Sequence, residues 1–361
     1  MQKILLISFN FPPTIGGIET YARELKIYFD GDKEIDFIHP KNKISANPFF
    51  RSISLLNFVI KTLITIRRKK YDLIHLTSFN LWILGFIYLK LYRKTKILIN
   101  IWGLEFVYKN KTGFFPKLYK KIFIGNKILY TDNFNYLVSS NASKDLMVSN
   151  GFDMDKINFI KLGVSQLQIS EKTIEVLNEK YFLFVGRIVE RKGLSWFSNT
   201  IMPNFPEYKL KVVGPIGNQK EFESSQTDNV DYLGTVSEEE LMRLRRNATI
   251  CIVPNILLPN EDDFEAFCFV TIESVASRSL IVASNYQGIP EALLYGKLGS
   301  LAKPSDKESW VNLINENLSY TTQERIKIIT KRIEILQKEL SWDILFDQTK
   351  KLYKKIIEND Q

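Results

Sequence analysis

The chain has 361 residues, 45% of them hydrophobic and 25% charged, with a formal net charge of +9. This composition excludes a disordered or collagen-like chain and suits two ordinary domains with apolar cores. Cys251 and Cys268, the two cysteines, lie in apolar surroundings at no disulfide or metal-ligand spacing, which reads as buried small hydrophobes in a reducing compartment.

In chain order, the apolar run after Met1 is too short for a signal sequence before Pro12-Pro13 intervenes, so a first strand and a cytoplasmic location are expected. Triplets such as Asn141-Ala142-Ser143 then meet no glycosylation machinery. Strands are predicted at 4–9, 35–38, 72–76, 96–101, 136–139 and 157–162, alternating with helix-like segments. Such alternation predicts a parallel sheet covered on both faces, here a first Rossmann-like domain over residues 1–165. The first strand runs into Phe11-Pro12-Pro13-Thr14-Ile15-Gly16-Gly17-Ile18-Glu19, where Gly16 and Gly17 allow a phosphate or sugar to approach a helix N-terminus closely. A lone Gly-Gly is more often a simple turn. It also lacks the G-x-G-x-x-G spacing of dinucleotide binders, which argues against a nicotinamide-dependent oxidoreductase.

Between Arg51 and Tyr130 there are 16 Lys or Arg against two acids, Asp72 and Glu105, a local excess of +14 that leaves the rest of the chain net negative. These cations interleave with apolar runs that fall short of the ~18–20 uninterrupted residues of a membrane span. Two readings stand: core helices with solvated basic ends, or a surface that docks on anionic lipid headgroups. No nucleic-acid-binding motif accompanies the charge.

Residues 166–180 are polar and read as a linker. Strands then resume at 181–186, 210–213, 230–233, 250–253 and 280–283, predicting a second Rossmann-like domain over 181–340. The tail, 341–361, has the apolar spacing of an amphipathic helix and is expected to cross back to the first domain. Two strand ends of the second domain carry chemistry. In Val185-Gly186-Arg187-Ile188-Val189-Glu190-Arg191-Lys192-Gly193, Arg187 and Lys192 suit a clamp on a diphosphate. Further on, Glu265 and Glu273 stand eight positions apart. On a helix that is a little over two turns, roughly 80° around the axis. Two carboxylates flanking free backbone N–H groups suit a ligand with hydroxyls at both ends and an anion between them, as in a nucleotide sugar. Asp262-Asp263 reads as a solvated acidic loop, with no further residues at metal-ligand spacing.

Together these segments resemble the retaining glycosyltransferases of family 4, which have the GT-B fold: two Rossmann-like, doubly wound parallel-sheet domains facing across a cleft. The stretch from Pro12-Pro13 to Glu19 resembles that family's Gly-Gly-x-Glu loop. Gly186-Arg187 with Lys192-Gly193 resembles its donor-phosphate motif, and Leu233-Gly234-Thr235-Val236 the segment edging the base. Glu265 and Glu273 resemble its Glu-x7-Glu motif, Gln287-Gly288-Ile289-Pro290-Glu291 its Gly-Gly-x-x-Glu stretch, and Trp342 to Tyr353 its closing helix.

The resemblance implies metal-independent transfer of a sugar from a nucleoside diphosphate donor to a hydroxyl of a glycan acceptor, with no cofactor. It assigns Glu265 to the sugar hydroxyls, Phe267, Cys268 and Val270 to the donor, and Glu273 to the ribose. Arg187 and Lys192 would stabilise the departing diphosphate, with Gly17 and Val236 also against the donor. The basic, apolar-rich first domain suggests a lipid-linked acceptor in surface polysaccharide or glycolipid assembly, and a peripheral position on the inner face of the cell membrane.

The chain departs from the family pattern at three places. Trp102 stands where the family has a His, leaving Trp102, His75 and Gly16 as candidate sugar or acceptor contacts, although His75 suits a structural role better. Ala266 and Cys268 replace two glycines, and Gln287 replaces a third. Trp102, Ala266 and Cys268 motivate the alternative of a catalytically silent, nucleotide-binding GT-B partner subunit.

Overall fold

The computed structural model describes residues 2–14, 16–41, 47–108, 117, 131–165, 180–258 and 264–358. The chain divides into two compact units. Unit 1 comprises Met1–Leu162 and Trp342–Gln361, and unit 2 comprises Gly163–Ser341. Residues 166–179 of the expected linker at 166–180, and the Asp262-Asp263 loop, lie outside the described residues.

Unit 1 is built on β1 (Ile4–Ile7), β2 (Ile35–Ile38), β3 (Leu73–Leu76), β4 (Lys96–Asn100), β5 (Phe134–Val138) and β6 (Ile157–Phe159), in spatial order β2-β1-β3-β4-β5-β6. Every pairing is parallel. Helices α1 (Gly17–Tyr28), α2 (Pro48–Ile66), α3 (Trp82–Leu91), α4 (Leu104–Tyr108) and α5 (Asn141–Ser149) fall among the strands. Leu5, Leu6, Ile7, Leu73 and Ile74 are fully buried on both faces, which is why these runs are continuously apolar rather than alternating.

Unit 2 repeats the plan with β7 (Tyr181–Val185), β8 (Lys209–Val213), β9 (Val230–Gly234), β10 (Ile250–Val253), β11 (Ile281–Ser284) and β12 (Ser300–Ala302), ordered β12-β11-β10-β7-β8-β9 and again all parallel. Its longer helices are α6 (Gln219–Ser225), α7 (Glu238–Asn247), α8 (Phe269–Ala276), α9 (Lys307–Ser319) and α10 (Thr322–Glu339). Strand β12 has no counterpart among the sequence-predicted strands. It is a three-residue edge strand, Ser-Leu-Ala, with too little apolar pattern to register.

Helix α11 (Trp342–Glu358) packs against α1 within unit 1. Tyr28 donates to Asp347 at 2.6 Å, Lys350 pairs with Asp32 at 2.9 Å, and Phe346 lies against Tyr21, Tyr28 and Phe29.

Candidate active site

In an open parallel sheet, ligands bind beyond the strand C-termini where the strand order reverses. In unit 2 that point lies between β7 and β10: the chain runs outward through β8 and β9, then returns to β10 on the other side of β7. Two of the charged candidates, Lys192 and Glu265, meet there. After β7 the chain forms a short turn, Glu190–Lys192, closed by Gly193 at φ 67°. A Cβ on Gly193 would stand 2.1 Å from the Pro254 carbonyl oxygen, so glycine is required both by the conformation and by the close approach of the two loops. Ile256 donates its backbone N–H to Arg191 at 3.0 Å, tying the loop after β10 to the turn.

This clamp delivers two cations to one carboxylate. Arg191 Nη1 meets Glu265 Oε2 at 2.5 Å, Lys192 Nζ pairs with the same oxygen, and Asn255 Nδ2 donates to it at 3.3 Å. The Glu265 side chain is 11% exposed. Burial pushes its carboxyl up, but Lys192 and Arg191 outweigh burial and hold it at about 2. Two cations against one anion leave the cluster net positive. Arg187, exposed, adds a further cation at the end of β7, its stem lying over Gly217. Sequence reading chose Lys192 and Arg187 but gave no role to Arg191 or Asn255. The adjacency of Arg191 to Lys192 was the available signal.

The Glu265 backbone is held as firmly as its side chain. Its N–H donates to Gln287 Oε1 at 2.7 Å, and its carbonyl accepts from Gly288 at 3.0 Å. Gln287 adopts φ 49°, a left-handed conformation that a glycine would accept more readily. Its side-chain amide therefore takes a position that a glycine leaves empty.

Helix α8 begins only at Phe269, with Cys268 as its N-cap. Glu265 lies in the extended approach to the helix, so the 80° relation drawn from a continuous helix does not hold. Glu273 sits on α8 proper and accepts a bond from Arg245 Nη2 at 2.5 Å. Arg245, on α7, was not foreseen as its partner. Phe267 and Cys268 are buried, while Val270 and Val236 are half-buried. Burial raises the Cys268 thiol to about 11, which keeps it protonated and inert. Among the described residues no three His, Cys, Asp or Glu side chains gather as a metal site.

Unit 1 has its own reversal point, between β1 and β3. Gly16 and Gly17 lead into α1 there, and Asn10 Nδ2 donates to Glu19 Oε1 at 2.7 Å across the loop. A Cβ on Gly16 would lie 2.4 Å from Glu19 Oε2. Trp102 and His75 differ from the expectation of free sugar or acceptor contacts. Trp102 Nε1 donates to the Thr77 carbonyl at 2.8 Å, and the ring packs edge-on against Tyr21 at 5.6 Å. His75 is fully buried, its Nδ1 facing the Tyr353 hydroxyl at 2.6 Å and its Nε2 bonded to Asn100 Oδ1. Burial lowers it to about 4, so it is neutral at pH 7. With both ring nitrogens engaged, His75 is a structural residue that anchors α11.

Comparison with known proteins agrees with this architecture. Residues 165–332 match the family model described as glycosyl transferases group 1. An uncharacterised 41.2 kDa protein in the cps region of Klebsiella pneumoniae is 26% identical over 293 residues, 76% of this chain and 77% of that protein. The lipopolysaccharide 1,2-N-acetylglucosaminetransferase of Salmonella typhimurium is 31% identical over 180 residues, which is 45% of this chain and 44% of the enzyme, so less than half of that relative is spanned. The crystal structure of Anabaena HepE in complex with UDP and glucose superposes with a TM-score of 0.73 at 15% identity, covering 98% of this chain and 100% of that one. With its two six-stranded parallel sheets, the chain has the GT-B fold, and its residues 165–332 are similar to the glycosyl transferases group 1 family.

Proposed function

We propose that the protein is a metal-independent, retaining glycosyltransferase of family 4 type. It would move a sugar from a nucleoside diphosphate donor to a hydroxyl of a lipid-linked glycan acceptor in surface polysaccharide or glycolipid assembly, working peripherally at the inner face of the cell membrane. The observation that carries this reading is the net-positive cluster of Arg191, Lys192 and Glu265 at the reversal point of unit 2. Fixed cations there stabilise the charge that grows on a departing diphosphate, the task a metal ion performs in other enzymes. In the proposed complex Glu265 accepts sugar hydroxyls and Glu273 the ribose hydroxyls, with Arg245 orienting the Glu273 carboxylate. The relatives support the polysaccharide setting: one lies in a cps region and another acts on lipopolysaccharide. A UDP-sugar donor is the first choice to test, since HepE is seen with UDP and glucose.

A silent, nucleotide-binding GT-B partner is the second reading, favoured by Trp102, whose only side-chain donor is committed to Thr77. Thermal shift across a panel of nucleoside diphosphates and their sugars, followed by assay of donor hydrolysis, separates the two. Ligand binding raises apparent stability by mass action. Stabilisation with turnover supports the enzyme, stabilisation without turnover the silent partner, and no response to any nucleotide sinks both.

A further inference from the structure

Helix α2 is apolar on two opposite sides. On one, Val59, Thr62 and Ile66 are buried in unit 1, and Leu55, Phe58 and Leu63 pack partly on the same core, with the Phe58 ring 5.6 Å from Phe9. The other side presents Phe49, Ile53, Leu56, Ile60 and Ile64, each between 43% and 68% exposed. At ~100° per residue these five fall within an arc of about 80°, forming a stripe about 22 Å long. Phe50, 57% exposed, widens its N-terminal end. A helix covering a soluble core needs one apolar side. This second side is an exposed patch of the kind that marks an interaction surface.

The charge around the stripe indicates what covers it. Residues 48–70 contain six cations, Arg51, Lys61, Arg67, Arg68, Lys69 and Lys70, and no acid. Lys61 and the four residues from Arg67 to Lys70 are exposed, with Lys69 reaching Asp36 at 3.0 Å. We propose that α2 lies in the plane of an anionic phospholipid surface, its outer stripe in the acyl boundary and its basic C-terminal end among the headgroups. The segment Phe49–Ile66 has the length and a mean hydropathy of 1.5 that would let it cross a bilayer. Crossing would strip Val59, Thr62 and Ile66 from the core of unit 1, whereas lying flat keeps that side packed. A second copy of the chain is the poorer occupant. Two such helices face to face would bring together two sets of cations with no acid between them, while anionic lipid neutralises them.

This inference deepens the membrane-proximal part of the proposed function and rests on that reading only for the lipid-linked acceptor. Its test is sedimentation of the full chain with phosphatidylglycerol–phosphatidylcholine vesicles and with phosphatidylcholine alone. The expected result is binding to the anionic vesicles that weakens with salt. Leu56→Asp with Ile60→Asp should cut that binding about ten-fold or more, and Arg67→Glu with Arg68→Glu should weaken it and flatten its salt dependence. These exposed substitutions leave nucleotide thermal shifts unchanged, which separates docking from the donor site: lost docking with intact nucleotide binding leaves the glycosyltransferase reading standing. Equal binding by the doubly acidic variant, or wild-type binding indifferent to anionic lipid and salt, overturns the proposal. So does a concentration-dependent dimer in velocity sedimentation that Leu56→Asp dissociates, which would assign the stripe to a second copy.

Discussion

The strand ends of the two units carry opposite kinds of buried polar group. In unit 1, His75, Asn100 and Tyr353 form a neutral hydrogen-bonded chain, and burial keeps His75 uncharged. In unit 2, Arg191 and Lys192 form ion pairs with Glu265, and Arg245 with Glu273. Neutral groups can be buried at modest cost once their hydrogen bonds are made, which suits a structural joint between β3 and α11. Buried charges are far more costly to desolvate, and removing one partner leaves the other exposed to that full cost. The convergence of Arg191, Lys192 and Glu265 beyond the strand ends of one sheet is the pattern of a site built to meet a charged ligand.

That contrast can be broken in several ways. The largest expected effect is on turnover: Lys192→Ala and Glu265→Gln should each lower donor turnover about 100- to 1000-fold, the range for removing a group that stabilises transition-state charge. Near-normal turnover in either variant removes the catalytic role assigned to the cluster.

The next effect is on acid stability. His75 has its pKa lowered from 6.5 to about 4, so the unfolded chain binds the extra proton first. Its contribution is complete above pH 6.5 and is lost as the pH falls through about 4, a change on the order of 3 kcal/mol. Glu265 is lowered from 4.5 to about 2, so its contribution is complete above pH 4.5 and is lost only as the pH falls through about 2. Hydrogen exchange should therefore show β3 losing protection at a higher pH than the loop around Glu265. Simultaneous loss in both places contradicts the distinction.

A smaller effect is expected of Arg191→Ala. Lys192 remains on Glu265 in that variant, so kcat should fall only about ten-fold, the scale of one lost charge-assisted hydrogen bond. A loss as deep as that of Lys192→Ala would show that the two cations act as one unit. The smallest is Tyr353→Phe, which should cost about 1 kcal/mol of stability in urea denaturation and leave donor turnover unchanged. A turnover defect there would bring unit 1's neutral chain into the chemistry.

Much of the fold was legible because parallel strands buried on both faces are continuously apolar, as in Leu5-Leu6-Ile7 and Phe182-Leu183-Phe184. The short edge strand β12 was not, since three residues carry no period. At the site, Glu265 and Lys192 were legible from the spacing of known motifs. Arg245, 28 positions from Glu273, was invisible because nothing in local pattern reports a contact between two helices. His75 could be read either way until its burial and both of its partners were known, one of them 278 positions distant.

By itself, then, the sequence determined which segments form every strand but β12, where the pattern restarts, and which cations follow the end of β7. These are consequences of local periodicity and turn chemistry. Only the tertiary structure decided what each charge meets: Glu265 taken by two cations, Trp102 turned inward, and one side of α2 left uncovered. Those outcomes depend on which distant residues fill the space around a side chain, and that space exists only once the sheets are packed.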